Sequence, residues 1–535
     1  MLIDGSLLPT GCVLEADICV IGSGIAGITL AREFDGLARR VIILEGGGLE
    51  GTLGSSLYRG DIAGHPYFNL EESRSRGFGG SANCWGGFCR MFDPLDFETR
   101  AAIPESGWPL SFEELLPYYE KAHRICGVHS MDYSLQHWRQ IAPYLSDIFM
   151  GEEVESEVLQ KSTFCGQTYR DELSASKNVR VYYNATVTNL VFVGEEQRCI
   201  EQVDVKSSPE AGFHVRAQLF ILASGGIENA RLLLASNMGA PGGLDNQHDL
   251  VGRYFMEHIS VRVGMFHPAI QDLQQRYFPH WHETEAGTIK SSVILSKQIR
   301  RREQLLRCFF ELSPKASHAV HGRKALAYLR RQVRKRRKVH NLAYHLRNII
   351  VDGRYLLRET PERRRHSRPG PQQQPFPLTV SAEQAPNPQS RVVLSRHTDA
   401  LGVPRARLEW KISELDLDHI ERSVQIFSAE ARRSGLGYVA VSPRWRWPVW
   451  GHHHHIGTTR MHDDPSHGVV DRHCRLHGVA NLYVAGSSVF PTAGAGTVTL
   501  LITALSVRLA EHLLRDARQR ILSCVDSATA AAVKP

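Results

Sequence analysis

Apolar, largely β-branched residues run unbroken from Ile18 to Ile21, which predicts a buried strand over Ala16–Ile21. Glycines follow at once in Gly22-Ser23-Gly24-Ile25-Ala26-Gly27, and Ile28–Phe34 then begins a helix. A second apolar run, Arg40–Leu44, closes on Glu45. Further along, Val179–Tyr183, Thr186–Val193 and Leu219–Ala223 are expected as strands, the last leading through Ser224-Gly225-Gly226 into a helix Ile227–Ala235. Ser111 and Glu114 stand at capping-box spacing and predict a helix start. Residues 383–410 carry two runs, Arg391–Ser395 and Arg405–Trp410, expected to be strands of a second, antiparallel sheet. Near the end, Leu482–Pro491 precedes Gly494-Ala495-Gly496-Thr497, which opens a helix through about Leu509.

Strand, glycine turn, helix, strand and acid together indicate a dinucleotide site. Gly22 permits the tight turn, Gly24 lets a pyrophosphate approach the backbone, and Gly27 lets helix and strand pack closely. The helix N-terminus offers free N–H groups to phosphate, and Glu45 can accept from ribose hydroxyls. FAD is favoured over NAD by the early position of the motif and by the second glycine-rich segment, Gly77–Gly87, which suits backbone wrapped against a flat ring.

Composition is that of an ordinary globular protein: 535 residues, 42% hydrophobic and 22% charged. Length predicts two to four domains. The ten cysteines are scattered without a CxxC pair, so neither a disulfide framework nor a zinc site is expected. No basic-then-apolar leader is visible. The uncharged stretch Leu476–Val507 is broken by glycines and Pro491 and is not expected to span a membrane. The net charge of +7 is unevenly placed. Residues 297–368 hold 22 Lys and Arg against 5 Asp and Glu, so the rest of the chain is acidic. Within that segment, Leu326, Leu329 and Val333, then Val339, Leu342, Leu346 and Ile349, fall at helical spacing around Arg334–Lys338. Two readings stand: a helical insertion with a solvated basic face, or a contact with an anionic membrane or acidic partner. Nucleic acid is not expected. Pro369–Pro377 reads as a loop.

The combination of Gly22–Gly27 with Glu45, the Gly79–Gly87 loop, Val251–His258, His454–Met461 and Asn481–Pro491 resembles the glucose–methanol–choline (GMC) flavoprotein oxidoreductases. It is closest in style to their sugar-oxidising branch, which includes pyranose oxidase and the fructose dehydrogenase large subunit. The resemblance implies an α/β protein: a discontinuous Rossmann-like FAD-binding domain (1–100, 178–262 and 450–520) and an antiparallel-sheet substrate domain (101–177 and 263–449). The basic helical insertion 297–368 belongs to the latter, and 521–535 is expected as a flexible tail. Residues implied to contact FAD are Gly22, Gly24, Ile25, Ala26, Gly27, Glu45 and Gly46, then Gly79, Gly80, Ser81, Asn83, Cys84, Trp85 and Gly86. Val187, Ala223, Ser224, Gly225, Gly486, Ser487, Thr497 and Val498 complete that set.

The implied reaction is FAD-dependent oxidation of an alcohol, a secondary hydroxyl of a sugar, glycoside or polyol. His454 matches the family's base, and neutral imidazole is suited to taking the hydroxyl proton. His453 and His455 are expected against the substrate. A metal at the four histidines is not expected, because neighbours in a strand face opposite ways. Thr497 stands where the family has His or Asn as a second catalytic residue, and threonine cannot be a base at neutral pH. That departure leaves redox-neutral or lyase-type chemistry as an alternative, beside a role as a membrane- or complex-associated subunit. Cys84 stands where some relatives carry a flavin-linking histidine, so non-covalent FAD is expected. The electron acceptor is O2, a quinone or a carrier protein, and the location is cytoplasmic or peripheral to a membrane.

Overall fold

The computed structural model describes residues 1–532 except 146, 150, 194–197, 237–245, 271–272, 274–280, 313–319, 335–338, 340–341, 352, 354–374, 447–448 and 495–496. The run Arg334–Lys338 beyond its first residue, most of Pro369–Pro377, and Ala495 and Gly496 lie outside the described residues.

The first predicted strand is Val13–Ile21, in the interior of an eight-stranded sheet. The order is Leu2–Asp4, Val179–Tyr183, Val41–Leu44, Val13–Ile21, Gly212–Leu222, Cys199–Lys206, Thr186–Val193. The first five strands are parallel to their neighbours. Such strands are covered on both faces, which is why Val41–Leu44 is apolar and buried at every position. Gly212–Leu222 forks: its beginning pairs antiparallel with Cys199–Lys206, and its last three residues pair in parallel with Leu482–Val484. The fork carries Ala485 to Leu222, where the Ala485 N–H donates to the Leu222 carbonyl at 2.7 Å. Gly22, Glu45, Ala223 and Gly486 therefore all follow the carboxyl ends of parallel strands, where ligands bind in open α/β sheets. The helix predicted after Thr497 begins at Val498 and runs to Ala532.

A nine-stranded antiparallel sheet forms the second layer. Its main order is Gly437–Val441, Ile259–Pro268, Phe376–Ala382, Cys308–Leu312, Gly287–Leu295, Val154–Lys161, Phe88–Cys89. The strands read in 383–410 are real but belong elsewhere. Arg391–Thr398 and Pro404–Trp410 form a separate three-stranded sheet with Asp61–Gly64, which pairs in parallel with the second of them. Periodicity reports that a segment is a strand; its neighbour is set by a partner over 300 residues away.

The basic segment is not one insertion. Lys297–Glu303 is a helix and Cys308–Leu312 an interior strand of the antiparallel sheet. Arg300 and Arg307 are fully buried there. Arg300 meets Asp93 at 2.5 Å, and Arg307 meets Asp93 at 2.7 Å and Glu157 at 2.9 Å. Arg90 joins the same cluster through Glu157 at 2.6 Å. Between Leu312 and Phe376 the described elements are the helices Val320–Arg334 and Leu342–Val351.

Candidate active site

The glycine turns, the second glycine-rich segment and the four-histidine run surround one cavity of about 710 Å³. The parallel sheet supplies one wall through Gly22, Gly24, Glu45, Ala223, Gly225 and Gly486. The antiparallel sheet supplies the other through Lys290, Ser291, Ser292, Phe310, Glu311 and Ser381.

The cofactor wall fits an FAD. A Cβ built on Gly24, Gly225 or Gly486 would meet nothing within 4 Å, so these glycines open on the cavity. Gly27 behaves oppositely: its Cβ would stand 2.0 Å from the Gly22 carbonyl oxygen, so it is needed for helix–strand packing. Gly24 caps the helix Ile25–Phe34 without a side-chain bond, leaving its first N–H groups toward the cavity. The Glu45 carboxylate is held by the Ser23 N–H and hydroxyl and by the Gly47 N–H, at 2.7 to 3.1 Å.

Of the expected cofactor contacts, Ile25, Ala26, Gly46, Gly80, Ser81, Cys84, Trp85, Gly86, Val187, Ser224, Ser487, Thr497 and Val498 also line the cavity. Gly27, Gly79 and Asn83 lie behind its wall. A Cβ on Gly79 would stand 2.2 Å from the Gly166 Cα, and the Asn83 amide donates to the carbonyls of Phe78 and Gly80, bracing the loop. The Cys84 thiol reaches the Ser81 carbonyl at 3.4 Å, and burial raises its pKa.

The histidine run is not a strand. Val449–Trp450 is the strand, and the chain then bends, with His453 at φ +65°. The bend sends the rings to different partners. His452 Nε2 meets the Ser381 hydroxyl at 3.1 Å, and His453 packs on Phe68 with ring centres 4.1 Å apart. His455 Nε2 meets the Tyr67 hydroxyl at 3.0 Å, and His454 Nδ1 meets His258 Nδ1 at 2.7 Å. All four border the cavity. Among the described residues no three groups gather as metal ligands.

His258 and Glu257 were quoted within a motif but given no role by sequence reasoning. A two-way backbone bridge between Met256 and Ile456, at 3.0 and 3.1 Å, lays Val251–His258 beside the histidine run. Glu257 is fully buried and accepts from the N–H groups of His454 at 2.7 Å and His258 at 3.0 Å. Its other oxygen accepts from the Tyr67 hydroxyl. Burial pushes its carboxyl up to about 7, against these bonds. The sequence signal was an acid and a histidine closing a run whose other residues, Arg253 apart, are apolar, aromatic or glycine.

Both histidines of the contact are neutral. Burial lowers the pKa of His258; burial and then the neighbouring His258 hold His454 well below the ordinary imidazole value. His258 Nε2 lies 3.1 Å from the Ala493 carbonyl, which can only accept, so Nε2 carries the proton. His258 Nδ1 is then a bare acceptor, and His454 Nδ1 must donate to it. His454 Nε2 is left with its lone pair, with no protein hydrogen-bond partner among the described residues.

Thr497 is spent on structure. Its Oγ1 accepts from the Arg90 N–H at 2.7 Å and donates to the Arg90 carbonyl at 3.1 Å. The buried ion cluster of Arg90, Asp93 and Glu157 anchors the other side of that clasp.

Residues 386–506 match the family described as GMC oxidoreductase. The fructose dehydrogenase large subunit of Gluconobacter japonicus is 24% identical over 83% of this chain and 81% of its own. The 6'''-hydroxyparomomycin C oxidase of Streptomyces lividus is 23% identical over 94% of this chain and 92% of its own. Among solved structures, pyridoxine 4-oxidase from Mesorbium loti superposes with a TM-score of 0.56 at 16% identity, over 93% of this chain and 98% of its own.

Proposed function

We propose that this chain is a GMC oxidoreductase that uses FAD to oxidise a hydroxyl of a sugar, glycoside or polyol, with His454 as the base. The observation that carries the reading is the Nδ1–Nδ1 contact, which leaves His454 Nε2 unprotonated at a cavity wall. Bound FAD supplies the hydride acceptor. The chain supplies the rest. His454 Nε2 takes the hydroxyl proton as hydride leaves the carbinol carbon, so no cation develops there. His258 holds the tautomer, and Glu257 holds the His454 backbone. The N-terminus of the helix from Val498 borders the cavity, and its free N–H groups stabilise negative charge developing near them.

Lys290, Ser291, Ser292, Glu311, Ser381 and His452 give the facing wall both donors and acceptors, as a polyhydroxylated substrate requires. His453 and His455 border the same space. The relatives support the same reading: one is a fructose dehydrogenase large subunit and another a 6'''-hydroxyparomomycin C oxidase. The reading assigns 1–100, 178–262 and 450–520 to the cofactor side and 101–177 and 263–449 to the substrate side. Strand membership supports this division except that Phe88–Cys89 joins the antiparallel sheet, Ile259–Pro268 and Val449–Trp450 cross its boundaries, and Asp61–Gly64 pairs with Pro404–Trp410. The reading has FAD held without a covalent link; the Cys84 thiol donates to the Ser81 carbonyl, and partial desolvation raises its pKa.

The test is anaerobic mixing of purified protein with a panel of alcohols, sugars, glycosides and polyols. At least one sugar or polyol should bleach the oxidised flavin band, and His454→Ala should abolish the bleaching. A panel that never bleaches it, or a fully active His454→Ala protein, defeats the proposal. Parallel assays with O2, a quinone and a dye identify the acceptor.

A further inference from the structure

The helices Val320–Arg334 and Leu342–Val351 pack on each other, with the Tyr328 and His345 rings stacked at 4.1 Å. Each helix buries an amide and exposes large apolar side chains. Gln332 and Asn348 are buried, and neither amide finds a hydrogen-bond partner among the described residues. Leu342, Leu346 and Ile350 stand one turn apart along the second helix and are 49%, 45% and 77% exposed; Val333 of the first helix is 72% exposed. Helical spacing in the sequence put Ile349 on this stripe; the structure turns it half inward and puts Ile350 outside. A helix pair that meets only water turns its leucines in and its amides out. This one presents its apolar stripe outward, and a contiguous stripe of that kind marks a contact surface.

The charge of this segment of the chain selects the partner. Residues 313–375 hold seventeen Lys and Arg against three Asp and Glu. The run Arg334–Lys338 begins on the last residue of the first helix and leads toward the second. Apolar side chains on a helix set among Lys and Arg suit the headgroup boundary of an anionic bilayer. A second copy of this chain would bring the same excess of positive charge against it. An acidic protein would satisfy the charge and leave the leucines without a purpose.

We propose that this helix pair docks the protein on an anionic phospholipid surface, with Leu342, Leu346 and Ile350 inserted among the lipids. The docked element is linked to the cavity wall through one intervening segment. The Tyr328 hydroxyl donates to Asn69 at 3.1 Å, and the adjacent Phe68 packs on His453. The proposal does not depend on the oxidation reaction.

The test is co-sedimentation of the full-length purified protein with phosphatidylcholine vesicles, with and without phosphatidylserine. The protein should sediment with the phosphatidylserine vesicles alone and be released by salt. Leu342→Ser/Leu346→Ser/Ile350→Ser should lower the bound-to-free ratio roughly tenfold while its soluble flavin absorbance and circular dichroism stay unchanged. Failure of the wild type to sediment, equal binding to neutral vesicles, or equal binding by the triple variant overturns the proposal. So does a wild-type dimer in vesicle-free gel filtration that the triple variant dissociates, which assigns the stripe to self-association. If the triple variant fails to fold, Ile350→Ser alone, the most exposed of the three, is read in the same assay.

Discussion

His258 and His454 meet nitrogen to nitrogen, Nδ1 to Nδ1 at 2.7 Å, across 196 residues of chain. Because His258 must give its other N–H to the Ala493 carbonyl, the contact dictates which nitrogen of His454 bears a proton. Removing the acceptor frees that choice. His258→Phe should lower kcat by about 10- to 100-fold with little change in KM, whereas loss of the base in His454→Ala should reach about 10²- to 10⁴-fold. His258→Asn, whose carbonyl can accept from His454 Nδ1–H, should keep more activity than His258→Phe. Steady-state kinetics on the three variants decide this.

The pH profile follows from the lowered pKa of His454, caused first by burial and then by His258. The base works neutral and is lost on protonation. Activity should therefore hold level as pH falls through 7 and drop only below the ordinary imidazole value of 6.5. A kcat/KM profile whose acid limb is centred at or above that value contradicts the assignment.

Glu257 makes stability depend on pH in the opposite sense to a salt-bridged acid. Burial raises its folded pKa to about 7 from 4.5. Its contribution is fully present below 4.5 and is lost as pH rises through 7, a difference on the order of 3 kcal/mol. Glu257→Gln should flatten that part of the stability curve. Denaturant melts at a series of pH values measure it; an unchanged slope between pH 4.5 and 7 refutes the point.

Thr497 holds Arg90 and is predicted to be a brace rather than a reacting group. Thr497→Val removes both bonds at nearly constant shape and should cost about 1–3 kcal/mol of stability, because the buried N–H and carbonyl of Arg90 lose their partners. Thr497→Ser should restore it. In both variants kcat should stay within about threefold of wild type, since the general base is untouched. A loss as large as that of His454→Ala would make Thr497 catalytic after all.

Cys84 borders the cavity with its thiol raised by burial. Acid precipitation of the protein should release all flavin to the supernatant, and Cys84→Ser should load FAD as fully as wild type. Yellow colour retained in the washed pellet, and lost in Cys84→Ser, would show a thioether instead.

Local pattern was sufficient for the nucleotide half of the site. Val13–Ile21, Gly22–Gly27 and Glu45 are neighbours in sequence, so strand, turn, helix and acid could be read directly, as could the Ser111–Glu114 cap. His454 is singled out from its three histidine neighbours by the family resemblance, since imidazole chemistry alone does not choose among them. Other features depended on contacts between distant segments. Strand pairing sent Pro404–Trp410 to Asp61–Gly64 instead of to the large antiparallel sheet. Burial converted Arg300 and Arg307 from members of a basic run into partners of Asp93 and Glu157. The bend at His453 separated four adjacent imidazoles, and the Met256–Ile456 bridge brought one of them to His258. The physical reason is one of range. Propensity, capping and glycine geometry act within a few residues. A tautomer, a buried charge or a sheet neighbour is chosen by whichever atom arrives across the folded chain.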